Sequence, residues 1–314
     1  MTDFFGRPTP VRAQHSPLHT VDIFTPLPAC YAGVRLIPVV SSLTPPRLPR
    51  LLLMRAAAFL LLCACAAAAL GGEPETPPPQ MLSKEQIVQK YRHVKPRAWG
   101  WNLPGVIMSF KAEGKTVALT LDLCGAKRDG LDERIVDFLE RNGIKATFFV
   151  TLRWIQKFPA AFARLYRNPL FEIENHGAAH RPASLNGRAV FGLRGTANST
   201  ELYSEVAQTA DAIEQITGRR PRFYRSGGAY YDEFALMQIS DMGFRTVGFS
   251  VFGDGGTTYS ANTAKKAVSK ARGGDIIIAH ANHQEKTSGK GVVAGLEALL
   301  QDGFEFVRLD EVLE

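Results

Sequence analysis

FEIENHGAAH, residues 171–180, begins as an extended apolar run and ends on His176 and His180, four residues apart. The first half has the composition of a buried strand that runs out into polar residues. Runs of the same kind recur at GVIMSF (105–110), TVALTLD (116–122), KATFFV (145–150), RFYRSG (222–227), RTVGFSV (245–251), DIIIAH (275–280) and FEFVRL (304–309). Helical periods separate them, among them LDERIVDFLERNG (131–143), ELYSEVAQTADAIEQITG (201–218) and GVVAGLEALLQDG (291–303). Gly143, Gly218, Gly243 and Gly303 stand where helices end, as a C-terminal cap prefers. Strand–helix alternation predicts parallel strands joined by crossover helices. With no second linker in the run, it predicts a single-domain α/β fold, a (β/α) barrel, with an open doubly wound sheet as second choice. No glycine-rich phosphate loop follows a strand, so nucleotide binding has no support.

In parallel β/α folds the chemistry collects beyond the carboxyl ends of the strands. Asp122 closes the first long run; Glu174, Asn175 and His176 close the run at 171. Arg225, Ser250, Asp254 and His280 take the corresponding places farther on. His176 and His180 form one close pair, and His280 and His283 form another, each just past a strand. Residues four apart share a helix face, and Gly177, Ala178 and Ala179 leave the space between the histidines open. Neutral imidazoles suit zinc and other first-row divalent ions. A zinc-protease reading fails, because Gly177 stands where that motif needs glutamate.

Across 117–312 the chain resembles the polysaccharide deacetylase family, the NodB-homology carbohydrate esterases of family 4. LTLDLCG (119–125) resembles the T-F-D-D-G motif, NHGAAH (175–180) the H-(S/T)-x-x-H motif, and YRSGGAYYDE (224–233) the third motif. SVFGDG (250–255) and IIIAHANH (276–283) resemble the fourth and fifth. The resemblance implies a distorted (β/α) barrel and metal-dependent removal of N-acetyl groups from a glycan such as peptidoglycan or chitin. It implies Asp122 as base, Arg225 as the group that orients it, His280 as acid with Asp254 as its partner, and His176 and His180 as metal ligands. The implied metal is zinc, with cobalt, manganese and nickel as the other candidates. Asn175 and Tyr230 are candidates for substrate binding, Tyr230 by stacking on a sugar ring.

Two departures stand out. The second aspartate of T-F-D-D, a metal ligand in the family, is Leu123 here, and the proline after the arginine is absent. The third ligand is then waters alone, Asp122, or Cys124, in that order of preference; alternation along an extended chain points residues 122 and 124 the same way. On this reading Leu123→Asp restores the missing ligand. Two other functions stay open: an amidase acting on a non-sugar C–N bond, and a glycan-binding pseudoenzyme.

The first part of the chain is unlike a domain. Residues 1–53 hold nine prolines and read as an upstream extension or a start that is not the native one. MRAAAFLLLCACAAAALGG (54–72) has the charged, apolar and small-residue order of a secretory signal. Its uncharged run is short of the ~20 residues of a membrane span. LCAC (62–65) offers a poor lipoprotein site at Cys65. Residues 73–104 read as a linker and a short helix capped by Ser83, and 105–314 as the deacetylase-like domain. A secreted, periplasmic or lipid-anchored protein with no span after signal cleavage follows. Residues 1–72 carry 6 Lys/Arg and 2 Asp/Glu, so the rest has 31 against 28 and a balance of only +3. That balance argues against a nucleic-acid partner. Past the signal only Cys124 remains, so no internal disulfide is expected.

Overall fold

The computed structural model describes residues 82–313. The proposed extension, signal and linker before residue 82 lie outside the described residues. In chain order the strands are β1 (Val106–Ile107), β2 (Thr116–Leu123), β3 (Ala146–Val150), β4 (Phe171–Asn175), β5 (Ala189–Val190), β6 (Leu193–Arg194), β7 (Phe223–Tyr224), β8 (Arg245–Val247), β9 (Val251–Phe252), β10 (Ile276–His280) and β11 (Glu305–Val307). The helices are α1 (Lys84–Lys90), α2 (Glu133–Asn142), α3 (Leu152–Lys157), α4 (Pro159–Arg167), α5 (Ser199–Thr217), α6 (Glu233–Asp241), α7 (Ala261–Val268) and α8 (Ser288–Gln301).

Nine of the strands form one parallel sheet in the order β1-β8-β7-β4-β3-β2-β10-β9, with β11 on the first half of β2; β5 and β6 form a separate hairpin. The sheet curls into a half-barrel. Its edge strands β1 and β9 do not pair with each other. The chain after β1 instead meets the turn before β10, through a Ser109–Asp275 bridge and a Phe110 N–H bond to the Gly274 carbonyl of 2.9 Å. This is the distorted (β/α) barrel expected.

β2 explains why the sheet forms and which way its chemistry faces. Seven of its eight residues are buried, as in a strand covered on both sides. Leu119, Leu121 and Leu123 point to the helix layer, packed with Trp154, Ile135 and Leu296. Burial of each such leucine contributes roughly 1.5–3 kcal/mol. Ala118 faces the barrel interior with Phe149 and Phe223. Alternation therefore carries Thr120 and Asp122 inward too.

Four runs are shorter than expected: GVIMSF gives only β1 and FEFVRL only β11. RFYRSG gives only β7, and Gly227–Ala229 form a 3-10 turn. RTVGFSV breaks at Gly248, where a Cβ would lie 2.6 Å from Met108 Sδ. α1 is capped by Ser83 through a capping box with Gln86. It does not float on a linker: Tyr91 Oη donates to Asp241 at 2.7 Å, and Ile87 is buried in one cluster with Leu202 and Val206 of α5.

Candidate active site

HGAAH is a loop and not a helical turn. Gly177 (φ 82°) and His180 (φ 59°) both adopt the left-handed region, and this fold-back brings the two imidazoles to 4.8 Å between centroids. Glu205 of α5 holds the loop. Its carboxylate accepts from the N–H groups of Ala179 and Arg181 at 2.9 and 3.0 Å, and its carbonyl from Ala178. A Cβ on residue 177 would fall 2.6 Å from Glu205 Oε1, so glycine is required both for its φ and for this approach. The expected pairing is present, by a different geometry from the one that suggested it.

Cys124 joins the pair. Its Sγ lies 3.9 Å from His176 Nε2, and the ligand atoms of Cys124, His176 and His180 all lie within 4.8 Å of one another. The cysteine is fixed from behind. Its carbonyl accepts from Thr151 Oγ1 at 2.9 Å and Arg153 Nε at 2.7 Å. Burial alone would raise the Cys124 thiol, but His180, His176 and His280 around it outweigh burial and hold it well below the usual cysteine range.

His176 is fully buried, and its Nδ1–H donates to the Arg225 carbonyl at 2.8 Å. That bond leaves Nε2 as the free lone pair, aimed at Cys124 and at Asp122 Oδ2, 3.5 Å away. An orienting carbonyl behind a ligating imidazole is the usual outer support of a metal site. One thiolate and two imidazoles at this spacing fit a divalent ion with about 2.0–2.3 Å bonds.

Asp122 and His280 are paired residues on adjacent strands. Arg225, itself fully buried, donates from Nη1 to Asp122 Oδ1 at 2.7 Å. The rest of its guanidinium bonds the carbonyls of Val247 and Gly248 and lies over Phe149. Its fork is thus used up in aiming one carboxylate oxygen. His280 Nδ1 stands 3.1 Å from both oxygens of Asp254, whose Oδ2 also accepts the His280 N–H. Burial would strip the proton from His280; Asp254 and Cys124 outweigh it and raise the imidazole well above its ordinary range.

The fold therefore brings together Asp122, Arg225, His176, His180, His280 and Asp254. Three expectations need correction. Asn175 does not face substrate: it is fully buried, donates to the Val206 carbonyl at 2.9 Å and accepts from Gly177 N–H at 2.8 Å. Leu123 is not an emptied ligand position, because its side chain is fully buried in the helix-side core. Cys124, ranked last as third ligand, is the residue beside the histidines. Tyr230 is half-buried against Trp99 and Phe191. Glu205 and Thr151 had no signal in sequence, since only the fold carries α5 and α3 to the site.

Residues 110–247 match the polysaccharide deacetylase family. The chain is 22% identical over 208 residues to the peptidoglycan-N-acetylmuramic acid deacetylase PdaA of Bacillus subtilis, covering 63% of this chain and 72% of that one. It is 26% identical over 199 residues to the peptidoglycan-N-acetylglucosamine deacetylase PgdA of Listeria monocytogenes, covering 63% of this chain and 39% of that one. In fold it is similar to a family 4 carbohydrate esterase pseudoenzyme from Bacillus anthracis, with a TM-score of 0.55 and 21% identity over 68% of this chain and 70% of that one. Residues 110–247 thus carry a polysaccharide deacetylase domain, in a form with Leu123 and Cys124 after Asp122.

Proposed function

We propose that the protein is a metal-dependent hydrolase that removes N-acetyl groups from an amino-sugar polymer or oligomer of the cell envelope. The observation that carries this reading is the meeting of three devices at one end of the barrel: the Asp122–Arg225 pair, the Cys124–His176–His180 cluster and the His280–Asp254 pair. Cys124 with His176 and His180 would hold the ion, and a thiolate in the set favours zinc over manganese. When bound, the ion supplies Lewis acidity toward the acetamide carbonyl.

The chain's own groups do the proton work. Asp122 takes the proton of the attacking water, with Arg225 holding its other oxygen out of the way. His280, protonated and locked by Asp254, gives its Nε2 proton to the departing amine nitrogen. His176 keeps its Nδ1–H on the Arg225 carbonyl throughout, so ligand and orienting arginine move as one body.

The relatives act on peptidoglycan by name, which supports a substrate and a location at the cell envelope. Leu123 was the sequence ground for a glycan-binding pseudoenzyme; Cys124 beside the histidines supports a site that can still hold an ion. The test is acetate release from N-acetylglucosamine oligomers and peptidoglycan, with zinc supplied and then chelated. Chelator-sensitive acetate supports the reading. Glycan retention without acetate would favour the pseudoenzyme, and acetate or amine from small amides alone would favour an amidase.

A further inference from the structure

His283, the second histidine of the pair past β10, has no part in the three devices at the active site. It stands between two carboxylates. Its Nε2 lies 3.5 Å from Asp129 Oδ1, and its Nδ1 lies 3.1 Å from Glu285 Oε1. The two acids are unequal: the Asp129 side chain is fully buried, and that of Glu285 is half exposed.

Asp129 ties the loop after β2 to the loop after β10. Its Oδ2 accepts from Ala126 N–H at 2.6 Å and from Asn282 Nδ2 at 2.5 Å. Backbone bonds run beside it. Gly130 N–H donates to the Asn282 carbonyl at 2.9 Å, Asp132 N–H to the Ala281 carbonyl at 2.7 Å, and Ala281 N–H to the Asp122 carbonyl at 3.2 Å. The two loops leave the sheet at Cys124 and His280, so the same bonds fix the cysteine and the proton donor relative to each other.

Asp129 Oδ1 is where this seam depends on charge. It is buried without a hydrogen bond, and His283 is its ion-pair partner among the described residues. A buried carboxylate is costly unless a cation compensates it. A neutral imidazole has one N–H and one lone pair, so it would turn the lone pair toward one of the two acids. The imidazolium donates to both. The remaining charges nearby are matched elsewhere: Arg134 is held by Asp132, Glu285 also faces Lys286 and Arg134, and Lys157 Nζ donates to the carbonyls of Ala126 and Lys127.

We infer that His283 and Asp129 are positioning residues for the reaction: the His283 imidazolium clasps the loop after Cys124 onto the loop after His280, and loss of its proton loosens both. The inference rests on the deacetylase reading and adds to it a charge needed away from the reacting atoms. The sign is fixed by the chemistry. The clasp is closed while His283 is protonated and opens as pH rises through its titration, so kcat falls there.

The test measures kcat and KM of the zinc-loaded protein on N-acetylglucosamine oligomers across pH, for wild type, Asp129→Asn, His283→Ala and His283→Arg. Asp129→Asn and His283→Ala should each lose about ten- to hundredfold in kcat, the scale of a small misplacement of reacting groups, with KM nearly unchanged. Arginine keeps its charge at every pH used. His283→Arg should therefore recover most of the loss and move the alkaline limb of kcat to higher pH. Undiminished kcat in the first two variants, an arginine variant no better than alanine, or an unmoved alkaline limb overturns the clasp while leaving deacetylation standing. If wild type releases no acetate, deacetylation falls and amide hydrogen exchange decides. Faster exchange at Gly130 and Asp132 in Asp129→Asn and His283→Ala, restored in His283→Arg, keeps the clasp; equal exchange in all four proteins overturns it.

Discussion

Leu123→Asp separates a reading by motif from a reading by geometry. In the motif, aspartate at this place is a ligand, and its return should tighten metal binding. In the structure the side chain is fully buried between β2 and the helices, in the same core as Val150 and Trp154. Truncating a buried leucine costs about 2–5 kcal/mol. A carboxyl group without partners adds about 1–3 kcal/mol, even when it takes up a proton to avoid carrying charge. The sum, roughly 3–8 kcal/mol, is comparable with the ~5–15 kcal/mol that holds a domain folded. Urea unfolding of wild type and variant, with zinc affinity measured on the folded fraction, is the assay. The expected result is a large loss of stability or of soluble protein, with no gain in affinity. A variant that melts with wild type and binds zinc more tightly would refute the placement of Leu123.

Other outcomes follow from single contacts. Gly177→Ala forces a Cβ to within 2.6 Å of Glu205 Oε1 at a left-handed φ, so it should lower stability by about 1–3 kcal/mol and weaken zinc binding together, as melting and metal titration would read. Asp254→Asn leaves His280 without its carboxylate; turnover should fall at least about a hundredfold while zinc content holds. Burial raises Glu172 above its ordinary range, with Asp310 adding to it and the Thr147 hydroxyl opposing. Such an acid keeps its proton in the folded state after the unfolded state has lost its own, so stability falls as pH rises from about 4.5 through the raised value. Glu172→Gln should flatten that slope in unfolding measurements at a series of pH values.

Much of this was legible in the chain because parallel strands buried on both faces leave nearly continuous apolar runs. β2, β3, β4 and β10 fall on such runs within a residue or two. Among the runs that were overestimated, RTVGFSV is interrupted at Gly248, where close approach of Met108 and Val106 decides and no local pattern records it. The histidine pair was found by counting four residues, although the contact depends on two left-handed residues and Glu205. Cys124 was undervalued because the motif drew attention to position 123. Simple alternation from Asp122 already pointed to 124, and the orientation of β2 is what makes that alternation decisive.

The central claim is that a Cys124–His176–His180 metal centre drives deacetylation. The most direct measurement is acetate release from chitin oligomers by chelator-stripped protein titrated with zinc, run in parallel on Cys124→Ser. Acetate release should rise with zinc, level off at one ion per chain, and require markedly more zinc in the variant. Undiminished acetate release from the stripped protein, or an identical titration for Cys124→Ser, would contradict it.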